Sequence, residues 1–455
     1  MLFNSQIFLL GLLPLALLAW YRAAGNHAVR VWLLLGASFV FYGYWEVRLV
    51  PLLAASILVN WLAARHLPRR LLAPIGVTAN LCLLGVFKYA DFFAGTLAAL
   101  LRTDFPASGI ILPLGISFFS FQQISYLVDR ARGTAPVYSL RDYALFVSFF
   151  PQLIAGPIVR HDQIIDQYAL DPRRDSLHER FGQGLILLIL GLIKKVALAD
   201  ELARIADPVF TTAAAAGSLS ALDAWCGTLA FGLQIYFDFS GYSDMAIGLA
   251  LLFGLSLPVN FNAPYTATSI SDFWRRWHIT LSTFLRDYLY IALGGNRHGV
   301  ARQYLALMIT MLLGGLWHGA AWTFVAWGGL HGAALVLNHV SRRAGLRLPA
   351  LVGGVLTFTF VMLAWIPFRA ADFDAAMLVF RALWDMAGDA PLFPEHAWLL
   401  VPALLAATLG PMSQRLAHEL IRPRDSVALA CGVLLTALIV ATGGWRAPEF
   451  IYFQF

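Results

Sequence analysis

The chain has 455 residues, of which 59% are hydrophobic, 14% aromatic and only 13% charged, and it carries a net charge of +6. A soluble chain carries about 25% charged residues to cover its surface, so an ordinary cytosolic enzyme and a disordered protein are both excluded. The Lys and Arg excess sits in short clusters between apolar runs, as at 65–70, 341–347 and 422–424. That is how loops fix membrane topology, and it does not describe a nucleic-acid surface.

Apolar runs long enough for a hydrocarbon core of about 30 Å recur along the chain. In order they cover 7–20, 31–44, 49–64, 71–89, 110–128, 143–158, 181–199, 224–239, 245–257, 304–340, 351–368, 398–409 and 427–441. Several are short or broken by Gly and Pro. The expected fold is therefore an all-α polytopic membrane protein with about eleven crossings plus re-entrant and interfacial pieces, in a single domain over 1–455. The run at 7–20 has no positive charge before it and further spans after it, so it reads as a retained first helix rather than a signal peptide. Placing the basic connections 22–30, 65–70, 130–132, 341–347 and 415–424 inside puts both termini outside. Cys82, Cys226 and Cys431 lie in apolar sequence without CxxC spacing and read as core or lipid-facing thiols.

The stretch 149–160, FFPQLIAGPIVR, contains Pro151 and Pro157, which cannot both sit inside a regular membrane helix, so a break or re-entrant turn is expected around Gln152. The sequence His161 to Asp166 has an HxxxxD spacing, read as chance because it lies in a polar connection. At 234–244, QIYFDFSGYSD, Asp238 and Asp244 bracket Ser240 and Gly241, which suggests a helix end with a turn at Gly241. Either this is an ordinary membrane exit, or one carboxylate orients a buried His or Arg.

Over 271–296 a helical wheel places Phe273, Trp277, Leu281, Phe284 and Tyr288 on one stripe. Arg275, Ser282 and Arg286 fall opposite, with His278 at the edge. The arginines of such a helix either meet lipid phosphates or, with His278, face a polar and anionic donor inside the protein. The run 304–340 has 37 residues and would span about 55 Å as one helix, too far for one crossing. It must be broken, with Gly314, Gly315, Gly319, Gly328, Gly329 and Gly332 as flexible points and a cavity near irregular backbone. Within it lies LWHGAAWTFVAW, where His318 stands far from any charged neighbour between Trp317 and Trp322. A neutral imidazole there suits general-base work, and it equally suits a core histidine bonded to a freed carbonyl. His331 falls roughly 140° away on a continuous helix, so the two do not form one pair. No P-loop, GxGxxG or GxSxG is present, and isolated histidines give no metal-site spacing.

Together these stretches, with 113–133 (PLGISFFSFQQISYLVDRARG) and the terminal 450–455 (FIYFQF), resemble the membrane-bound O-acyltransferase superfamily, most of all its alginate O-acetyltransferase branch. The resemblance implies a ring of membrane helices around a central catalytic tunnel in a bacterial inner membrane. It implies His318 and His278 as catalytic residues. Supporting or substrate-binding residues would be Arg275, Arg276, Trp274, Trp277, Asp238, Ser282, Asn296, Trp317, Trp322 and Gln152. The activity implied is acetyl transfer from a cytoplasmic acyl thioester such as acetyl-CoA, across the membrane, to an exopolysaccharide or cell-wall glycan through a periplasmic esterase-like partner. No cofactor would be tightly bound. D-alanyl transfer to teichoic acid shares the FWRRWH and WHG contexts. From other classes, a polysaccharide or lipid transporter and a passive secretion scaffold are the competing readings.

Overall fold

The computed structural model describes residues 1–103, 105, 108–154, 156–385, 396–421, 425–441 and 451, and these form helices and connecting turns with no strand among them. Contacts divide the chain into two units. The first is Met1–Leu190, Tyr242–Pro258 and Ala417–Glu449, and the second is Gly191–Gly241, Val259–Leu416 and Phe450–Phe455.

The first unit opens with α1 (Ile7–Arg22), α2 (His27–Gly43), α3 (Val47–His66), α4 (Arg69–Leu101), α5 (Ile116–Arg132) and α6 (Leu140–Ser148). The starts of α2 and α6 are written in sequence: the Asn26 and Ser139 side chains accept the Val29 and Asp142 backbone N–H. Arg30 is buried in this unit, where its guanidinium donates to the carbonyls of Ala24, Tyr168 and Leu170 and lies 4.7 Å over the Trp20 ring. Carbonyl oxygens thus take the place of a counter-ion, which is one way an apolar unit keeps a charge. The expected break at 149–160 is present. One short turn, Phe150–Leu153, follows α6, and the chain then runs irregularly to Arg160, buried on nearly every residue; Ala155 within it lies outside the described residues. Gln152 is buried here and its amide donates to the Phe146 carbonyl. His161 pairs with Asp129 (3.4 Å) and Tyr138 (2.9 Å), so the HxxxxD spacing forms no pair of its own.

The second unit contains α7 (Asp200–Ala214), the first part of α8 (Ala221–Leu252), the short helices α9 (Ile270–Arg276) and α10 (Ile279–Phe284), and α11 (Val300–His318). It continues with α12 (Trp322–Arg343), α13 (Ala350–Arg369) and α14 (Phe373–Ala382). Among the described residues four helices, α3, α4, α11 and α13, are long and apolar enough to cross a membrane, or five if the bent pair Ala397–Thr408 and Ser413–Leu420 is one span; α1, α2 and Leu429–Ala441 are shorter apolar helices.

Two expectations about glycine change here. The chain does not turn at Gly241: α8 runs through it, and a Cβ there would lie 2.8 Å from the Gly191 carbonyl oxygen. The missing side chain is spent on close packing. The run 304–340 does break, between His318 and Trp322, yet its glycines act as contact points more than as hinges. A Cβ on Gly328 would sit 3.2 Å from the Gly315 Cα and nearer still to the Met311 carbonyl, so these two glycines let the α11 and α12 backbones touch.

Candidate active site

The residues that carry chemistry gather in the second unit. His318 is the last residue of α11, which ends because Gly319 takes an extended conformation (φ −154°, ψ 148°). The glycine crossing of α11 on α12 then lays Trp327 against it. The His318 ring is only 4% exposed and packs on Trp317 (5.0 Å), Trp327 (5.1 Å) and Phe368 (5.4 Å, on α13).

His278 lies in the break between α9 and α10, with left-handed backbone (φ 41°). That conformation costs a non-glycine residue about 1–2 kcal/mol. It is held from both sides, because Ile279 N–H donates to the Asn260 carbonyl and Asn262 N–H to the Arg276 carbonyl, each at 2.9 Å. The single amphipathic helix read over 271–296 is therefore two short helices and a wider turn, Leu285–Tyr290. Pairing with 260–262, which no local periodicity reveals, is what breaks it. The polar side survives the break: Arg275, Ser282 and Arg286 still line one cavity.

Asn260 also fixes the chemistry of His278. Its Oδ1 accepts the Thr280 backbone N–H (3.2 Å) and the Thr280 hydroxyl (2.8 Å), and lies 3.1 Å from His278 Nδ1. A peptide N–H only donates, so the atom facing it is the amide oxygen, and the neutral ring must carry its proton on Nδ1. The lone pair is then on Nε2, which is buried without a hydrogen-bond partner among the described residues. The ring stands edge-on to Phe239 (4.7 Å) and 6.1 Å from Trp317, so Trp317 touches both histidines.

A third imidazole belongs to the same cluster. Trp274 Nε1–H donates to His331 Nδ1 at 3.3 Å, which places the His331 proton on Nε2, the opposite tautomer. His331 is fully buried and packs 4.7 Å from Trp327, the ring that also covers His318. His318 and His331 thus share a neighbour, Trp327.

The other expected residues separate. Trp277 is fully buried, stacked on Phe273 (5.6 Å) and 5.0 Å from Trp365. The adjacent arginines diverge: Arg276 pairs with Asp272 (3.0 Å) and donates to Thr266, while Arg275 faces the cavity. Asp238 orients neither a His nor an Arg. Its Oδ1 lies 3.0 Å from Lys195 Nζ, which is also 2.7 Å from Asp200, and its Oδ2 accepts the Ile451 N–H at 2.7 Å; the rest of FIYFQF lies outside the described residues. Trp322 is 52% exposed at the start of α12, and Asn296 is exposed in a turn. Gln152 belongs to the other unit.

Sequence reasoning missed Lys195 and Asn260. Lys194 and Lys195 interrupt the apolar run LILGLIKKVALA, so the rule that singled out His318, an ionisable group in apolar sequence, would have found Lys195 too. Asn260 carries no such signal. No group of three or more His, Cys, Asp or Glu able to hold a metal occurs among the described residues.

Residues 115–346 match the membrane-bound O-acyltransferase family. The chain is 42% identical to the peptidoglycan O-acetyltransferase of Helicobacter pylori, covering 85% of this chain and 80% of the relative. It is 44% identical to a probable alginate O-acetylase AlgI of Azotobacter vinelandii, covering 86% and 79%. Similarity to the teichoic acid D-alanyltransferase of Streptococcus thermophilus is lower, 29% identity over 56% of this chain and 68% of the relative.

Proposed function

Because the chain belongs to the membrane-bound O-acyltransferase family, we propose that the cluster around His318 and His278 is where it moves the acetyl group from its donor on the way to a polysaccharide hydroxyl. The protein is a membrane acyltransferase, not a transporter or a scaffold, and its reaction is O-acetylation of a polysaccharide. The whole chain serves as one integral-membrane catalytic domain. It crosses a bacterial inner membrane about eleven times around a central tunnel, with both termini outside.

One observation carries the assignment of the site: two buried imidazoles pack around Trp317, and one of them, His278, has its proton held on Nδ1 by Asn260. A buried ring with a fixed tautomer presents a lone pair to a hydroxyl without first paying to reorient. In the step proposed, His318 takes the proton of the acceptor hydroxyl as its oxygen attacks the thioester carbonyl. The C–O bond forms, the C–S bond breaks, and the proton passes from the imidazole to the departing thiolate. His278, through Nε2, holds the hydroxyl or the developing oxyanion according to its protonation. The donor is acetyl-CoA or another acyl thioester, and a periplasmic esterase-like partner completes delivery to the polymer. Alginate and peptidoglycan are both candidate acceptors, as the relatives named for them are almost equally similar.

The test is mass spectrometry of cell-envelope polymers from cells carrying wild-type or His318→Ala protein at matched membrane levels. Polymer acetylation should vanish in the variant; persistence at the wild-type level would overturn the role of His318.

A further inference from the structure

An acyl carbonyl attacked beside His318 becomes an oxyanion, and an oxyanion is best stabilised by a hydrogen-bond donor already fixed in place. Neutral His278 does not supply that donor, because its free nitrogen, Nε2, carries the lone pair. The remaining donors of the cluster are its indoles. Trp274 is satisfied by His331. The indole N–H groups of Trp277, Trp327 and Trp365 are buried without a hydrogen-bond partner among the described residues. A buried donor left unpaired is destabilising, and most are paired, so three in one aromatic stack point to a use.

Trp277 lies 5.0 Å from Trp365, which in turn stacks on Trp327 at 5.7 Å. Of the three, Trp327 is the one whose ring packs on His318, edge to face at 5.1 Å. Its ring neighbours give its N–H nothing to bond. Phe368 and Trp365 have no acceptor, and the one lone pair of His331 is already engaged by Trp274. The same rings, with Trp274 at 5.8 Å, pin the orientation of Trp327. At 1% exposure the donor is dry, which strengthens any hydrogen bond it makes.

We infer that Trp327 is a catalytic residue: resting on the acyl-transfer reading above, its Nε1–H donates to the acyl carbonyl oxygen as that oxygen takes up negative charge. When the acceptor oxygen adds, the C–O bond forms, the carbonyl π pair moves onto oxygen and the N–H···O bond tightens. When the C–S bond breaks, that pair returns to re-form the carbonyl, and the departing thiolate takes the proton held by His318. An indole N–H only donates and keeps its proton throughout, so the acid–base work stays with the histidines.

The experiment removes the N–H and keeps the ring. Site-specific replacement of Trp327 in the full chain by its sulfur isostere, benzothienylalanine, should lower the initial rate of polymer acetylation per folded molecule by about 10²–10³-fold. Detergent melting should stay at the wild-type temperature, because no acceptor within the protein is lost. Trp327→Phe should show a comparable loss of rate, and the same isostere at Trp365 should acetylate at the wild-type rate. Wild-type acetylation by the Trp327 isostere would overturn the inference. So would an equal loss at Trp365, which would place the effect in the stack and not in one donor, or a lowered melting temperature of the Trp327 isostere, which would show its N–H already paired. The acyl-transfer reading is judged separately, by whether His318→Ala abolishes polymer acetylation.

Discussion

Removing the Asn260 side chain tests how the site is wired. In Asn260→Ala two buried backbone and ring donors, Thr280 N–H and His278 Nδ1–H, lose their common acceptor, whereas the Thr280 hydroxyl can rotate to another. At about 1–3 kcal/mol for each buried donor left unpaired, the loss of stability should fall between roughly 2 and 6 kcal/mol. The catalytic effect has a different origin. Without the amide oxygen the His278 proton is free to move to Nε2, and the lone pair that faces the cluster is lost for part of the time. A positioned acid–base group contributes about 10²–10⁴-fold to rate, and a tautomer present for part of the time forfeits only a share of it, so a loss between about twofold and 10²-fold is expected. The assays are detergent thermal melting of the purified chain and polymer acetylation normalised to folded protein. Asn260→Asp keeps an acceptor and should recover most of the melting loss. Wild-type acetylation per folded molecule in Asn260→Ala would refute the tautomer argument, whatever the melting temperature.

Three further predictions concern the scaffold. Gly328→Val places a branched side chain where the α11 and α12 backbones touch, so it should cost at least about 1–3 kcal/mol and lower acetylation by shifting Trp327 from His318; wild-type melting would sink the close-packing account. Lys195→Leu leaves Asp238 buried without its cation, and a drop of about 3–5 kcal/mol is expected, visible as poor membrane yield. Lys195→Leu/Asp238→Asn removes both charges of that pair and keeps an acceptor for the Ile451 N–H, so it should recover part of that yield, the rest of the loss being that of Asp200 without its cation; a double variant poorer than the single one would contradict the pairing. Arg276→Gln breaks an ion pair whose members are 31% and 24% exposed; the cost should stay under about 1 kcal/mol, and a large melting shift would show that the pair is more than a surface contact.

Much of the site was legible because membrane chemistry makes its exceptions conspicuous. His318 stands in apolar sequence, and 37 residues at 304–340 cannot cross as one helix, so both a buried histidine and a broken backbone were readable. The polar face of Arg275, Ser282 and Arg286 was readable from spacing, and it persists although the helix that suggested it is interrupted. Trp322 and Asn296 lie near the motif in sequence, which does not decide exposure: Trp322 opens α12 about half exposed.

By itself the amino-acid sequence determined the solvent and the helical class and singled out the residues proposed to do the chemistry, because each depends on composition, short periodic spacing or motif. Only the tertiary structure decided who pairs with whom. Asp238 found Lys195, Asp200 and the Ile451 N–H, and His278 found Asn260. A buried polar group must be paired somewhere, but the requirement names a chemistry and not a position, so a partner tens or hundreds of residues away leaves no local trace. The same holds for Gly241, Gly315 and Gly328: the sequence says that a side chain is absent, and only the packed backbones say what came into its place.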